Sequence, residues 1–325
     1  MKRFLQSEAG AAVMWVLGAL LLAAAISPWL YQAGKSLAAN AEANRLPAIL
    51  EWLGAACGRS KFGRFFSRAL MVSALALLPA LLHRVKTIRR RDGIQIPPAP
   101  SISWKNAILQ LVTALLIAAG LLLLLGWALD AMGAYLPNKK APSFGKLLAS
   151  TVPASLAVAF LEEWLFRGLM LGLWLRFARP LAACIGCSLV FAFVHFLSPP
   201  DGVVIAHPAH PLAGFQLLGG ILGHFSDPVF FVTDFLTLFV IGMILAGARL
   251  KTGKLWFSIG LHAGWVMAYQ SFERLHRSVD THPLRPWGVG DTLRSGALPL
   301  ATLCLTALVC HWVIGRLQHL NRASR

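Results

Sequence analysis

The chain has 325 residues, of which 57% are hydrophobic and 13% charged, and its mean hydropathy is +0.65. Soluble domains carry about 25% charged residues, so an ordinary soluble enzyme is excluded and a polytopic, all-α membrane protein is indicated. The net charge of +17 is that of basic cytoplasmic loops facing anionic headgroups, and no motif points to nucleic acid as a partner.

In chain order, residues 11–30 form the first predicted span. Lys2 and Arg3 precede it, but the apolar run is long for a signal peptide and reads as an anchor. Residues 35–65 mix charge with Ile49, Trp52 and Leu53, and Gly54, Gly58 and Gly63 interrupt them. They predict one or two interfacial helices. The second span is 67–82, with Pro79 inside it. Arg84, Lys86, Arg89, Arg90 and Arg91 follow, then the proline-rich loop 97–100. Residues 107–129 give the third span. The loop 137–146 holds Lys139, Lys140 and Lys146.

The fourth span covers 147–175 and the fifth 180–197. Residues 198–227 contain no Lys or Arg. The sixth span is 230–248, and Arg249, Lys251 and Lys254 form a basic turn. Residues 255–270 and 298–314 are the seventh and eighth, separated by a polar loop at 273–296. The basic segments fall on one side. This predicts a bundle of about eight transmembrane helices in the inner or plasma membrane, both termini cytoplasmic. Only the lysines of 137–146 run against that pattern. The chain then divides into an N-terminal membrane region (1–146), a core (147–272) and an outer loop with a last span (273–325).

The fourth span contains the informative residues. Glu162, Glu163 and Arg167 put three charges within six residues of a membrane helix. Each costs about 2.5–3.5 kcal/mol to insert, so packing or solubility does not account for them. Glu163 and Arg167 are four apart with the acid first, the favourable order for a pair on one helix face. Glu162 points about 100° away, which leaves it for another use. Counting ~1.5 Å per residue from the turn near 177–179 puts Glu162 and His195 at the same depth, ~21–23 Å. That would let them share one water. Phe191 lies on the face of His195. His262, flanked by Gly260 and Gly264, counts as shallower, ~12 Å past Lys254. Asp234 is a further intramembrane acid, either a partner for the site or an interfacial residue.

The set Glu162-Glu163-x-x-x-Arg167, Phe191-x-x-x-His195 and a later His262 resembles the CPBP family of intramembrane proteases. That family includes type II CAAX prenyl endopeptidases and bacteriocin-immunity relatives. The resemblance covers about 148–272. It implies a catalytic set of Glu162, Glu163, Arg167, His195 and His262. It also implies a peptide or protein substrate that in part of the family is lipidated, in contact with membrane lipids. The family's last motif is often His-x-x-x-Asn, and here Val266 replaces the Asn; Trp265 or Tyr269 would have to stand in as a donor.

A carboxylate in a low-dielectric bundle can serve as a general base near neutral pH, and Glu162 suits that role. Glu162, His195 and His262 would equally suit a divalent metal such as zinc as three of its ligands. Metal-dependent and metal-free hydrolysis both stay open, and H-E-x-x-H is absent. The Cys184-x-x-Cys187 pair reads as small buried residues, and His207 and His210 read as loop. Two other classes fit less well. A transporter should show repeats or broken helices in matching halves. A non-catalytic scaffold or immunity protein of the same fold need not keep the acid–base set.

Overall fold

The structure is a computed structural model describing residues 2–44, 46–93, 102–197, 204–290 and 292–323. The proline-rich loop 97–100 and the start of the Lys/Arg-free stretch, 198–203, lie outside the described residues. In chain order the elements are α1 (Lys2–Leu5), α2 (Glu8–Ala43), α3 (Ala48–Gly58), α4 (Phe62–Arg91), α5 (Trp104–Ala131) and β1 (Tyr135–Pro137). Then come α6 (Phe144–Glu163), a π-helical segment (Trp164–Met170), α7 (Leu171–Phe177), α8 (Pro180–His195), α9 (Ala213–His224) and α10 (Pro228–Phe230). A second π-helical segment (Phe231–Phe235), α11 (Leu236–Thr252), α12 (Trp256–Leu275), β2 (His276–Ser278) and α13 (Ala297–Ala323) complete the chain.

The protein is a polytopic helical membrane protein. Among the described residues, six helical segments are long and apolar enough to cross a bilayer: Glu8–Ala43, Phe62–Arg91, Trp104–Ala131, Phe144–Phe177, Pro228–Thr252 and Ala297–Arg316. They contain six of the eight expected spans. The other two are helices of a different character. α8 has 16 residues, ~24 Å of helix against a hydrocarbon core of about 30 Å. α12 is long enough but carries Ser258, His262, Gln270, Glu273 and Arg274.

The chain forms two compact units, 1–96 with 193–227, and 97–192 with 228–325. In the first unit α2 runs for 36 residues, well past the expected end near residue 30. Pro28 would break it by leaving the Ala24 carbonyl without its donor. Ser27 Oγ donates to that carbonyl at 3.4 Å, and the helix continues through alanine-rich turns to Ala43. α4 lies antiparallel to α2: Trp15 Nε1 donates to Ala74 O at 2.9 Å, and Arg89 pairs with buried Glu8. Residues 35–65 therefore contain one separate helix, α3, between the end of α2 and the start of α4. Lys35 Nζ donates to the last carbonyls of α3, Cys57 O at 3.2 Å and Gly58 O at 2.7 Å. Ile49, Trp52 and Leu53 form its exposed apolar face, the pattern of an interfacial helix. α9 packs on α2 where Gly214 permits it: a Cβ there would lie 2.0 Å from Ala24 O.

The second unit is organised around α12. On one side α5 runs parallel to it, with Trp104 beside Trp256, Leu111 beside Gly260 and Leu115 beside Gly264. Cβ atoms on those glycines would stand 2.2 and 2.5 Å from the Leu111 and Leu115 carbonyl oxygens. On the other side α6 runs antiparallel, and Ala159 meets Ile259 and Ala263. α13 packs on α5 and α11. A short ribbon not expected from the sequence, β1 against β2, pairs Tyr135 with Ser278 and Pro137 with His276. It ties the loop after α5 to the end of α12.

Contacts along α2 carry a topological prediction for the first unit. Arg91 reaches Gln6 O, and Gln32 Nε2 reaches Ala209 O. Between these points α2 runs from Glu8 to Gln32, ~36 Å of helix, more than the hydrocarbon thickness. A reporter fused after residue 92 should be cytoplasmic and one fused near residue 205 should be on the outer side. Both on one side would end this arrangement.

Candidate active site

The charged segment of α6 stays helical but changes pitch. The π-helical segment Trp164–Met170 begins at the residue after Glu163 and contains Arg167. Such insertions into α-helices are frequent at functional sites. The predicted pair forms across this junction: Arg167 Nη1 donates to Glu163 Oε1 at 2.8 Å, and the two side chains are 1% and 0% exposed. A buried pair survives desolvation only with further partners. Arg167 Nη2 reaches the Gly242 carbonyl at 3.4 Å, and its guanidinium lies 4.1 Å from the centre of the Phe191 ring.

α12 supplies the third member. His262 Nδ1 lies 2.9 Å from Glu163 Oε1, so a single carboxylate oxygen joins Arg167 and His262. The other ring nitrogen, Nε2, is 3.8 Å from Glu162 Oε2. Glu162 is 29% exposed at its side chain and Glu163 is sealed. Two adjacent carboxylates thus occupy different environments on either side of one imidazole. With an ionised carboxylate at Nδ1, that nitrogen is assigned the proton, and Nε2 is left toward Glu162.

Small residues produce this geometry. Gly260, Ala263 and Gly264 surround His262 and let α12 press against α5 and α6 at backbone distance. The Phe191 ring closes the cluster, edge-on to His262 at 6.1 Å and to Phe166 at 5.1 Å.

The depth expected for His262 is wrong in one respect. Counting made it shallower than the glutamates, yet it touches Glu163. From Glu163 to the end of α7 is ~21 Å of helix, and from His262 to the start of α12 only ~9 Å. The two helix ends are therefore not level, and Lys254 does not mark the same depth as the turn after α7. A lysine can snorkel, so its backbone position is a poor depth marker.

His195 is half-buried as the last residue of α8 and belongs with the first unit. Glu162, Glu163, Arg167 and His262 come together in the second. Val266 is half-buried one turn after His262. Trp265 is buried in the core shared with α5, and the Tyr269 hydroxyl engages Glu273 one turn further on. Asp234 sits in the second π-helical segment, where Thr233 Oγ1 donates to it at 2.7 Å. Cys184 and Cys187 are buried thiols, as expected, and His210 Nδ1 accepts from Leu212 N at 3.2 Å within its loop. Among the described residues no three His, Cys, Asp or Glu side chains converge as a metal ligand set. The π-helical turn had no sequence signal beyond the charges themselves.

Residues 144–268, somewhat over a third of the chain, match the family model described as type II CAAX prenyl endopeptidase, Rce1-like. Comparison with curated proteins and with solved structures gives no match. The matched segment contains Glu162, Glu163, Arg167, His195 and His262.

The environments of the two carboxylates predict opposite stability effects. Glu163→Gln removes the charge that compensates buried Arg167, and breaking a buried pair from one side costs about 3–5 kcal/mol. Detergent-solubilised Glu163→Gln should melt clearly below wild type or fail to accumulate. Glu162→Gln keeps shape at a partly exposed position and should melt near wild type. The reverse order would mean that Glu162 is the structural carboxylate.

Proposed function

We propose that this protein is an intramembrane endopeptidase that hydrolyses a peptide bond with water activated by Glu162. The observation that carries the reading is His262, with Nδ1 2.9 Å from Glu163 and Nε2 3.8 Å from Glu162. A distance of 3.8 Å is too long for a direct hydrogen bond and suits two groups that touch one water. Arg167 pairs with Glu163, Glu163 fixes the His262 ring, and the ring faces the base. This is the base-and-orienter logic of hydrolytic sites.

In the proposed reaction, Glu162 takes a proton from water as the oxygen attacks the carbonyl carbon. The C=O electron pair moves onto oxygen and gives a tetrahedral oxyanion. When the C–N bond breaks, Glu162 returns the proton to the leaving amine, and the products are a carboxylic acid and an amine. A protonated Nε2 of His262 is the donor suited to the oxyanion. His195 is assigned to the same reaction by its motif. The matched family's name offers the first substrates to try, peptides with a prenylated C-terminal CAAX sequence. A substrate with an apolar or lipidated segment also suits the exposed apolar side chains beside the base, Phe160, Leu161 and Trp164.

Purified protein should cleave members of a peptide panel that includes prenylated and unprenylated CAAX peptides. Glu162→Gln should lower turnover by ~10²–10⁴, the usual scale for a general base, at an unchanged melting temperature. His262→Ala and His195→Ala should also lose turnover while staying folded. A parallel set with chelator separates metal-dependent from metal-free hydrolysis. Wild-type cleavage by Glu162→Gln would sink the mechanism.

A further inference from the structure

The guanidinium of Arg167 has more donors than the cluster satisfies. Nη1 is bonded to Glu163 and Nη2 makes a long contact with Gly242 O, while Nε is buried with no hydrogen-bond partner. A buried cation so placed needs another source of stabilisation. The Phe191 ring supplies one. Its centre is 4.1 Å from Arg167 Cζ, well inside the range in which a ring's negative face attracts a cation, and the site is desolvated. Phe166 is a poorer partner, with its ring centre 5.9 Å away. The same Phe191 ring stands at 82° to His262, with centroids 6.1 Å apart. Phe191 is 1% exposed, so neither contact is diluted by water.

The geometry points to Phe191 as a positioning residue that acts electrostatically through Arg167, rather than as core filling. Its face holds the guanidinium over α8, Arg167 holds Glu163, and Glu163 holds the Nδ1 proton of His262. The ring that orients the cation also packs against the imidazole, which limits its rotation. The catalytic part of this inference rests on the hydrolase reading above; the cation–π part does not.

The test replaces Phe191 with phenylalanines bearing one, two, three and then more ring fluorines, which drain the negative face with little change in shape. Phe166 receives the same series as an internal control. In the 191 series the melting temperature should fall stepwise with fluorine number. Log kcat should fall in step with it, kcat dropping by about tenfold in total at unchanged KM, because substrate binding is not touched. The 166 series should be much flatter in both. Phe191→Leu should behave like the most fluorinated variant or worse. A flat melting temperature across the 191 series would overturn the inference, as would equal slopes at 166 and 191. If wild-type protein cleaves no peptide, the hydrolase reading fails, and the melting series still decides whether Phe191 stabilises Arg167.

Discussion

A carboxylate cannot sit ionised inside a membrane helix bundle without a cation and a donor close by, and the second unit is built around meeting that requirement at Glu163. Helix spacing brings Arg167 to it from the same segment, and close packing brings His262 to it from another. Neither partner alone would suffice, because desolvation of both ions opposes the Coulomb gain. The Arg167 charge is spread over Glu163, the Gly242 carbonyl and the Phe191 face. The structure thus commits one acid completely, and the commitment of Glu163 distinguishes it from its neighbour. Glu162 differs by a single residue and ~100° of helix, yet its side chain is partly exposed and lies on the other side of the His262 ring.

The packing that delivers His262 is of a kind that lipid favours. Between apolar helices in a bilayer there is no hydrophobic drive to associate, so contact depends on backbone approach and small side chains. α12 has both on two sides. Gly260 and Gly264 face the α5 backbone, and Ala263 and Ile259 face Ala159 of α6. A larger side chain at either glycine would collide with a carbonyl oxygen rather than with a movable side chain, so α12 would have to move away and take His262 with it. The same residues explain why α12 can be the least apolar of the expected spans. Two of its polar groups are buried and partnered: His262 lies against Glu163, and Ser258 Oγ donates to the capping Leu255 O at 2.9 Å.

Several of these features were legible in the sequence. The charges at 162, 163 and 167 stood out against the membrane, and their spacing gave the Glu163–Arg167 pair because i,i+4 geometry is a local property. Six of the spans followed from apolar length alone. What escaped was set by neighbours. α2 outruns its apolar core because Ser27 repairs the break at Pro28 and the later turns, rich in alanine and with no second proline, run on through Gly34. The depth of His262 depended on how far α7 extends beyond the start of α12, which no single helix encodes. The β1–β2 ribbon joins three-residue strands 140 positions apart in the chain, far too short for a periodicity to register. The π-helical turn after Glu163 depends on which donors its carbonyls find, again a matter of the surroundings.

The replacement of Asn by Val266 bears on how an oxyanion would be met in the proposed reaction. An amide at 266 would stand one turn beyond His262 on nearly the same face of α12. Val266 offers no donor, Trp265 is buried in the core shared with α5, and Tyr269 is turned toward Glu273. His262 lies one turn back, and its Nε2 faces Glu162 at 3.8 Å. A neutral imidazole would accept there rather than donate, so the demand falls on the protonated ring. Glu163, 2.9 Å from Nδ1, fixes the ring with Nε2 toward Glu162. Arg167 binds the same carboxylate oxygen at 2.8 Å. The two contacts on Glu163 Oε1 would then set where Nε2 stands, which would make the buried pair part of the proposed chemistry as well as of the fold.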